Sequence, residues 1–260
     1  YKMHMPDLKG VRIASENLRD VSIVTPLNLN ERLSEKLNSR IFFKREDLQK
    51  VRSFKIRGAF NKIKSLNLEN TQDGKKIICA SAGNHAQGVA FSCNKLKIFG
   101  TIYMPETTPK QKVERVKMFG RDFIEIILVG DTFDDAQKEA LKQLNNDSVF
   151  IHPFDDKEVI EGQGTVALEI LDQIDKHFDY LVIPIGGGGL IAGIISVFKE
   201  LSPKTKIIGV EAQGAPAMFD SIKQNKIIEL KKIDNFVDGV SIKKIGEIPF
   251  KICKEHLDDL

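Results

Sequence analysis

A run of four glycines, Gly186–Gly189, sits between the apolar stretch Tyr180–Ile185 and the equally apolar Leu190-Ile191-Ala192-Gly193. Strand, turn without Cβ atoms, and helix, in that order, make a cradle for an anion. The turn can aim several N–H groups at one phosphate, and the helix N-terminus adds the positive end of its dipole. Four consecutive glycines are entropically costly to order, so a plain turn rarely uses them. Whose phosphate is bound stays open at this point. Gly187, Gly189 and Ala192 satisfy the G-x-G-x-x-G/A dinucleotide fingerprint, and Glu211 ends the next strand, where a ribose-binding acid would be sought. An NAD-dependent oxidoreductase is therefore one reading of this segment. The second reactive candidate is Lys55, in Ser53-Phe54-Lys55-Ile56-Arg57-Gly58-Ala59. At the start of a helix and beside Arg57, its amine should be pushed toward the neutral form. A neutral amine is what addition to a carbonyl requires, so Schiff-base chemistry is open to it. On a helix beginning near Phe54, Lys55 and Ala59 share a face with Gly58 beside them, leaving room for a bulky group over the amine. A solvated surface lysine is the ordinary alternative, and local physics does not choose between the two.

The elements that must position these groups alternate between short β-branched runs and longer amphipathic ones, the pattern of a parallel sheet covered by helices. Strands are expected at Ile41–Lys44, Lys76–Ala80, Lys97–Met104, Phe123–Val129, Val149–Ile151, Leu181–Ile185 and Lys206–Glu211. Helices are expected at Phe54–Leu66, Ala86–Lys95, Pro109–Phe119, Thr132–Leu144, Ile160–Lys176 and Leu190–Leu201. Pro109 and Thr132 suit helix starts, the latter as a capping residue. In Pro109–Phe119, Val113, Val116 and Phe119 form one stripe, with Arg115 and Lys117 off it. So many strands suit two α/β units, with no linker between them. The apolar stretches Tyr180–Ile185 and Leu190–Phe198 suit a buried strand and a buried helix. Phe250–Leu260 reads as a helix or loop leading toward a further strand.

Composition narrows the classes of function. The 260 residues carry 39 Lys+Arg against 36 Asp+Glu, a net charge of +3 with the signs interspersed, unlike the one-sided basic face of a nucleic-acid binder. The pairs Lys231-Lys232 and Lys243-Lys244 read as solvated surface. No apolar run approaches the roughly 20 residues that span a bilayer, and Tyr1–Asp7 lacks a signal core, so a soluble cytoplasmic chain is expected. Cys79, Cys93 and Cys253 are odd in number and without CxxC spacing, which fits reduced thiols, Cys79 being buried and inert. The five histidines have no metal-ligand spacing, and no metal site is expected.

The order of motifs decides between the readings. Ser53–Ala59, then Cys79-Ala80-Ser81-Ala82-Gly83-Asn84-His85-Ala86-Gln87-Gly88, then the glycine run resemble the fold-type II pyridoxal-phosphate enzymes. Within them the chain is most similar to the threonine dehydratases (threonine ammonia-lyases) of the serine/threonine dehydratase family. Thr25-Pro26-Leu27, Lys44–Gln49, Gly162–Ala167 and Asp238-Gly239-Val240 add to the resemblance, which runs from about residue 20 to residue 250. It implies pyridoxal 5′-phosphate as cofactor, an α/β fold with two three-layer αβα domains and mostly parallel sheets, and a homo-oligomer, dimer or tetramer. Residues 53–150 would form the small domain inserted in a large domain of residues 1–52 and 151–260. Lys55 would carry the cofactor and move the proton at the substrate Cα. Phe54 would pack near the ring, Asn84 would bond its phenolic oxygen, and Gly186, Gly187, Gly188, Gly189 and Leu190 would hold the phosphate. Gly239 would lie against the cofactor, where a Cβ would intrude. Ser81, Ala82, Gly83, Asn84 and His85 would bind the substrate carboxylate through their amides, a second anion nest.

The implied reaction is β-elimination of L-threonine to 2-oxobutanoate and ammonia, and of L-serine to pyruvate, in isoleucine biosynthesis or threonine catabolism. The rival within the family is serine racemase. A racemase needs a second proton carrier across Cα, a serine where this chain has Ala82, so elimination is favoured. Serine racemases also place a carboxylate near the position of Ala217, completing a cation site with the counterpart of Glu211; Ala217 offers none. The glycine run thus serves pyridoxal phosphate rather than NAD. The family's catalytic domain continues with a strand and a turn whose serine or cysteine faces the pyridine nitrogen. The C-terminal part of the large domain is accordingly expected to be missing, with weakened cofactor binding.

Overall fold

A computed structural model describes residues 4–68, 75–174 and 177–260. Residues 1–3, 69–74 and 175–176, which include part of the expected N-terminal segment and the last two residues of the expected helix Ile160–Lys176, lie outside the described residues. Helix α1 (Leu8–Asn17) comes first, its N-terminus capped by Asp7, whose carboxylate accepts from Gly10 N at 2.7 Å. An antiparallel ribbon follows, β1 (Leu27–Leu29) on β2 (Phe42–Lys44), with helix α2 (Glu31–Leu37) between them. The expected strand Ile41–Lys44 is therefore real, but it belongs to this ribbon and not to a parallel sheet. β1 and the two helices escaped the sequence reading because each is short and presents little apolar periodicity.

The next stretch alternates α3 (Lys55–Ser65), β3 (Lys76–Ala80), α4 (Asn84–Leu96), β4 (Gly100–Met104), α5 (Lys110–Gly120), β5 (Ile124–Leu128), α6 (Phe133–Lys142) and β6 (Ser148–Phe150). The four strands form one parallel sheet in the order β5-β4-β3-β6. Alternate residues of each strand face opposite layers. Ile77, Cys79, Ile102 and Met104 pack with Ala59 and Ile63 of α3, Ala86, Val89 and Ala90 of α4, and Val113 and Val116 of α5. Ile78, Ala80 and Tyr103 meet Ala136 and Ala140 of α6 on the other face. This is the three-layer arrangement that the sequence implied. Thr132 caps α6 in a full capping box with Asp135, a device typically worth about 1 kcal/mol. Lys97, expected in β4, instead ends α4 in the left-handed conformation at φ 58°.

Then come α7 (Lys157–Asp172), β7 (Tyr180–Pro184), α8 (Gly189–Leu201), β8 (Lys206–Val210), α9 (Ala217–Lys223) and α10 (Glu247–His256). β7 and β8 pair in parallel, and Asp259 runs alongside Ile208 in a parallel bridge, with Gly209 N donating to Asp259 O at 2.9 Å. β7 departs from expectation: Leu181, Ile183 and Ile185 join the core of α7, α8 and α10, yet Tyr180 and Val182 stay 60% and 62% exposed. Among the described residues nothing covers that second face. All three cysteines are free and buried, and burial pushes their thiols up. Among the described residues no helix is long and apolar enough to cross a membrane.

α7 is the spine of the molecule, lying between α3 and α8. It meets each of them glycine against glycine. A Cβ on Gly162 would lie 2.6 Å from both Arg57 O and Gly58 Cα, and one on Gly193 would lie 2.4 Å from Ile160 O and 2.6 Å from Gly164 N.

Candidate active site

Lys55 is the first residue of α3, with Phe54 at the cap. Its amine donates to Pro153 O at 2.7 Å and lies 5.6 Å from the centre of the Phe54 ring. Burial pushes its pKa down from 10.5 to about 8. Desolvation, not Arg57, is the cause, which corrects the sequence argument. The Arg57 guanidinium is fully buried and committed elsewhere, to Glu46 at 2.8 Å through both Nε and Nη2 and to Glu169 at 2.6 and 2.9 Å. Lys44 adds a bond to Glu169 at 2.6 Å, and Thr25 Oγ1 donates to Glu46 at 2.6 Å. Burial alone would raise the Glu46 carboxyl, but the hydrogen bonds and charge of Arg57 leave it below its ordinary value. Gly58 also has a different purpose from the one expected. A Cβ there would meet Gln163 Nε2 at 2.4 Å and Val159 O at 2.6 Å, so the glycine admits α7 rather than a group over the lysine.

The glycine run caps α8. Gly188 adopts φ +91°, which only glycine takes without strain. Gly186 faces Val240, with a Cβ 3.1 Å from its Cα, and a Cβ on Gly187 would lie 2.1 Å from Cγ of Phe154. Gly187, Gly188 and Gly189 are buried. The N–H groups from Gly186 to Leu190 nevertheless donate to no acceptor among the described residues. Buried amides are nearly always bonded, so a row of free ones at a helix N-terminus is a site shaped for an anion.

Ser81–His85 forms the second nest, between β3 and α4. Ser81 Oγ accepts from Gly83 N at 3.2 Å, while the N–H groups of Ala82, Asn84 and His85 find no acceptor among the described residues. α4 starts at Asn84, two residues earlier than the sequence indicated, which places these amides in its first turn. A Cβ on Gly83 would meet nothing within 4 Å, and Asn84 is exposed. The His85 ring points away from open space: it is buried and its Nε2–H donates to Ile151 O at 2.9 Å. Burial first, then the Lys55 charge, push its pKa down to about 3.

Sequence reasoning missed the segment that joins these parts, Ile151-His152-Pro153-Phe154-Asp155. Ile151 O holds the His85 ring and Pro153 O holds the Lys55 amine. Phe154 lies on Gly187 and Gly189. The Asp155 carboxylate accepts from Glu247 N and Ile248 N, both at 2.9 Å, and so starts α10. His152 locks the turn, its Nδ1 accepting from Phe154 N at 3.3 Å and Asp155 N at 2.8 Å; burial pushes its pKa down to about 4. The signal was a histidine-proline-phenylalanine run directly after a strand, at the chain's return from the four-stranded sheet. Gly239 sits in an exposed turn where a Cβ would meet no protein atom within 4 Å, next to the Val240 that touches Gly186. Glu211 stands at the start of α9, where its two oxygens accept from Met218 N at 2.7 Å and Phe219 N at 2.8 Å.

Residues 18–260 match the family model described as pyridoxal-phosphate dependent enzyme. The biosynthetic L-threonine dehydratase of Halalkalibacterium halodurans is 54% identical over 254 residues, 97% of this chain and 61% of that protein. The chain thus spans about three fifths of the length of that curated relative. Among solved structures, the processed form of threonine deaminase isoform 2 from Solanum lycopersicum gives a TM-score of 0.88 at 42% identity, covering 99% of this chain and 71% of that one. Maize serine racemase gives 0.90 at 32% identity, covering 98% and 76%. A lysine and two amide nests joined by one connecting segment, on this fold and with these relatives, lead to one conclusion: the chain belongs to the family of pyridoxal-phosphate dependent enzymes.

Proposed function

We propose that this chain is a lyase that deaminates L-threonine to 2-oxobutanoate and ammonia, and L-serine to pyruvate and ammonia, by β-elimination with pyridoxal 5′-phosphate. One observation carries the reading: a desolvated lysine amine shares a connecting segment with a buried glycine cradle whose N–H groups lack acceptors. A phosphate supplies those acceptors, and an aldehyde on the same molecule suits the amine, so the residues present fit the cofactor. The dinucleotide alternative is less well supported, because the Glu211 oxygens already accept from the first amides of α9.

When bound, the cofactor supplies an aldehyde for an amine and a conjugated ring that spreads the electron pair left on Cα after deprotonation. The protein's own residues do the rest. Gly186–Leu190 hold the phosphate, Asn84 bonds the phenolic oxygen, and Phe54 and Gly239 flank the ring. The free amides of Ala82, Asn84 and His85 hold the substrate carboxylate, while Ser81 N is already committed to Tyr103 O at 3.1 Å and Gly83 N to Ser81 Oγ. Lys55 Nζ takes the Cα proton; with a pKa of about 8 it is neutral in roughly one molecule in ten at pH 7, against about one in three thousand for an ordinary lysine. The proton taken by Lys55 passes to the β-hydroxyl, which leaves as water, and the released enamine takes up one water to give the 2-oxo acid and ammonia. Across Cα stands Ala82, which carries no proton. His85 and His152 are neutral at neutral pH, with His85 Nε2–H donating to Ile151 O and His152 Nδ1 accepting from Asp155 N, which supports elimination over racemisation.

The same reading includes a cytoplasmic location, supported by three free thiols, and a homo-oligomer. It also includes residues 53–150 as a small domain inserted between 1–52 and 151–260, supported by the core of the four-stranded sheet, which takes only Ile151 and Val159 from outside that range. To test the function, the chain is loaded with pyridoxal phosphate, reduced with borohydride and digested, and threonine is assayed for 2-oxo acid release. The cofactor mass is expected on Lys55, and Lys55→Ala should lose both label and product. Product release by Lys55→Ala, or conversion of L-serine to D-serine faster than to pyruvate, would overturn the assignment.

A further inference from the structure

We infer that Phe154 is a positioning residue for the phosphate cradle, holding the N–H nest in its binding shape from behind; the inference rests on the proposed cofactor. The N–H groups of Gly186–Leu190 donate to no acceptor among the described residues, and the proposed phosphate would be bound by several of them at once. Parallel dipoles aimed at one point repel, so such a loop does not hold its own shape. Phosphate holds it from the front when bound, and something must hold it before binding.

The backing is visible glycine by glycine. Gly186 rests on Val240 and Gly188 on Pro249, where a Cβ would lie 3.1 Å from Val240 Cα and 2.5 Å from Pro249 Cβ. Gly187 and Gly189 both rest on Phe154. Cβ atoms there would lie 2.1 and 2.2 Å from Cγ and Cδ1 of the ring, and 3.0 Å from Phe154 Cα. Gly188 needs glycine for its backbone angle alone, but Gly187 is not in the left-handed region. What excludes a side chain at 187 is therefore the Phe154 ring, and the two residues form a matched pair.

The ring is itself fixed. It meets the His152 ring edge-on at 4.7 Å, and the main-chain N–H of Phe154 donates to His152 Nδ1. The preceding Pro153 carbonyl holds the Lys55 amine, so one residue step separates the backing of the phosphate site from the partner of the lysine. Phe154 thereby sets where the anion site stands relative to the amine.

The 260-residue chain is compared with Phe154→Ala, Gly187→Ala and the double variant, titrating pyridoxal 5′-phosphate and, separately, pyridoxal, which lacks the phosphate. Phe154→Ala is expected to weaken pyridoxal phosphate about tenfold or more while changing pyridoxal by less than about twofold. A merely structural loss would move both. Gly187→Ala should weaken pyridoxal phosphate about a hundredfold, and adding Phe154→Ala should recover at least about tenfold by making room for the methyl group. Wild-type-like binding by Phe154→Ala, equal loss of both ligands, or a double variant no better than Gly187→Ala would each overturn the inference. If borohydride fixes no cofactor on Lys55 of the wild type, the proposed function fails, and melting temperatures decide the pair. Phe154→Ala raising the melting temperature of Gly187→Ala supports it, and a further fall overturns it.

Discussion

Lys55 is a residue kept reactive at the expense of stability. Its amine reaches about 8 because burial penalises the charge, and no carboxylate offsets it. Below pH 8 the folded chain therefore carries a half-buried, poorly solvated ammonium. Between pH 8 and 10.5 the unfolded chain binds more protons than the folded one, so stability rises with pH across that window. Lys55→Met should accordingly stabilise the cofactor-free chain at pH 7 by about 1–3 kcal/mol, with a smaller gain at pH 10, both measured by urea unfolding. The histidines act in the opposite pH range. Folded pKa values of about 3 for His85 and about 4 for His152 lie below the ordinary 6.5. Their neutral forms contribute fully above pH 6.5, and that contribution drains away as pH falls toward 4. His152→Asn keeps an acceptor near the Nδ1 position and should flatten the decline between pH 6.5 and 4; an unchanged slope would show that His152 is not its source.

At the level of elements, α7 holds the two chemical ends of the site apart at a set distance. Lys55 opens α3 and Gly189 opens α8, and each helix touches α7 where neither side has a Cβ. Gly193→Ala would push a methyl group onto the backbone of Ile160 and Gly164, and should cost at least about 2 kcal/mol together with cofactor affinity, read by thermal melting and titration. The Arg57 cluster ties the same helices to the N-terminal ribbon. Arg57→Ala leaves Glu46 and Glu169 without their buried partner and should cost about 3–5 kcal/mol, while Arg57→Lys keeps the charge, loses the paired bonds and falls between. Several matching stretches thus gain a physical meaning that the sequence could not supply. Thr25, Lys44, Glu46 and Gln49 gather around one guanidinium, and Gly162 and Gly164 are the contact points of a spine.

For the whole molecule, the alternation of strands and helices was legible because apolar periodicity is local, and six helices and the parallel strands stand within a few residues of expectation. The strand β1, the antiparallel pairing of β2 and the helices α1, α2 and α9 were not, since three to ten residues with mixed polarity carry little local signal. The two nests could be read from Ser81–His85 and Gly186–Leu190, because glycine and small polar residues mark amide nests directly. The Ile151–Asp155 junction could not, as its importance lies in four partners far away in the chain. That separation has a consequence for timing. Lys55 lies 98 residues before the carbonyl that receives its amine, and its desolvation needs a fold that draws on both. A chain still being synthesised, or unfolded again, keeps this lysine hydrated and almost entirely protonated, and therefore slow toward aldehydes. Reactivity is thus a property acquired at the last step of assembly. Refolding from urea in the presence of pyridoxal phosphate, quenched with borohydride at intervals, should show the Lys55 label rising with tertiary structure and lagging the helical signal; a label that appears with the first helix would mean that the unfinished chain already captures its cofactor.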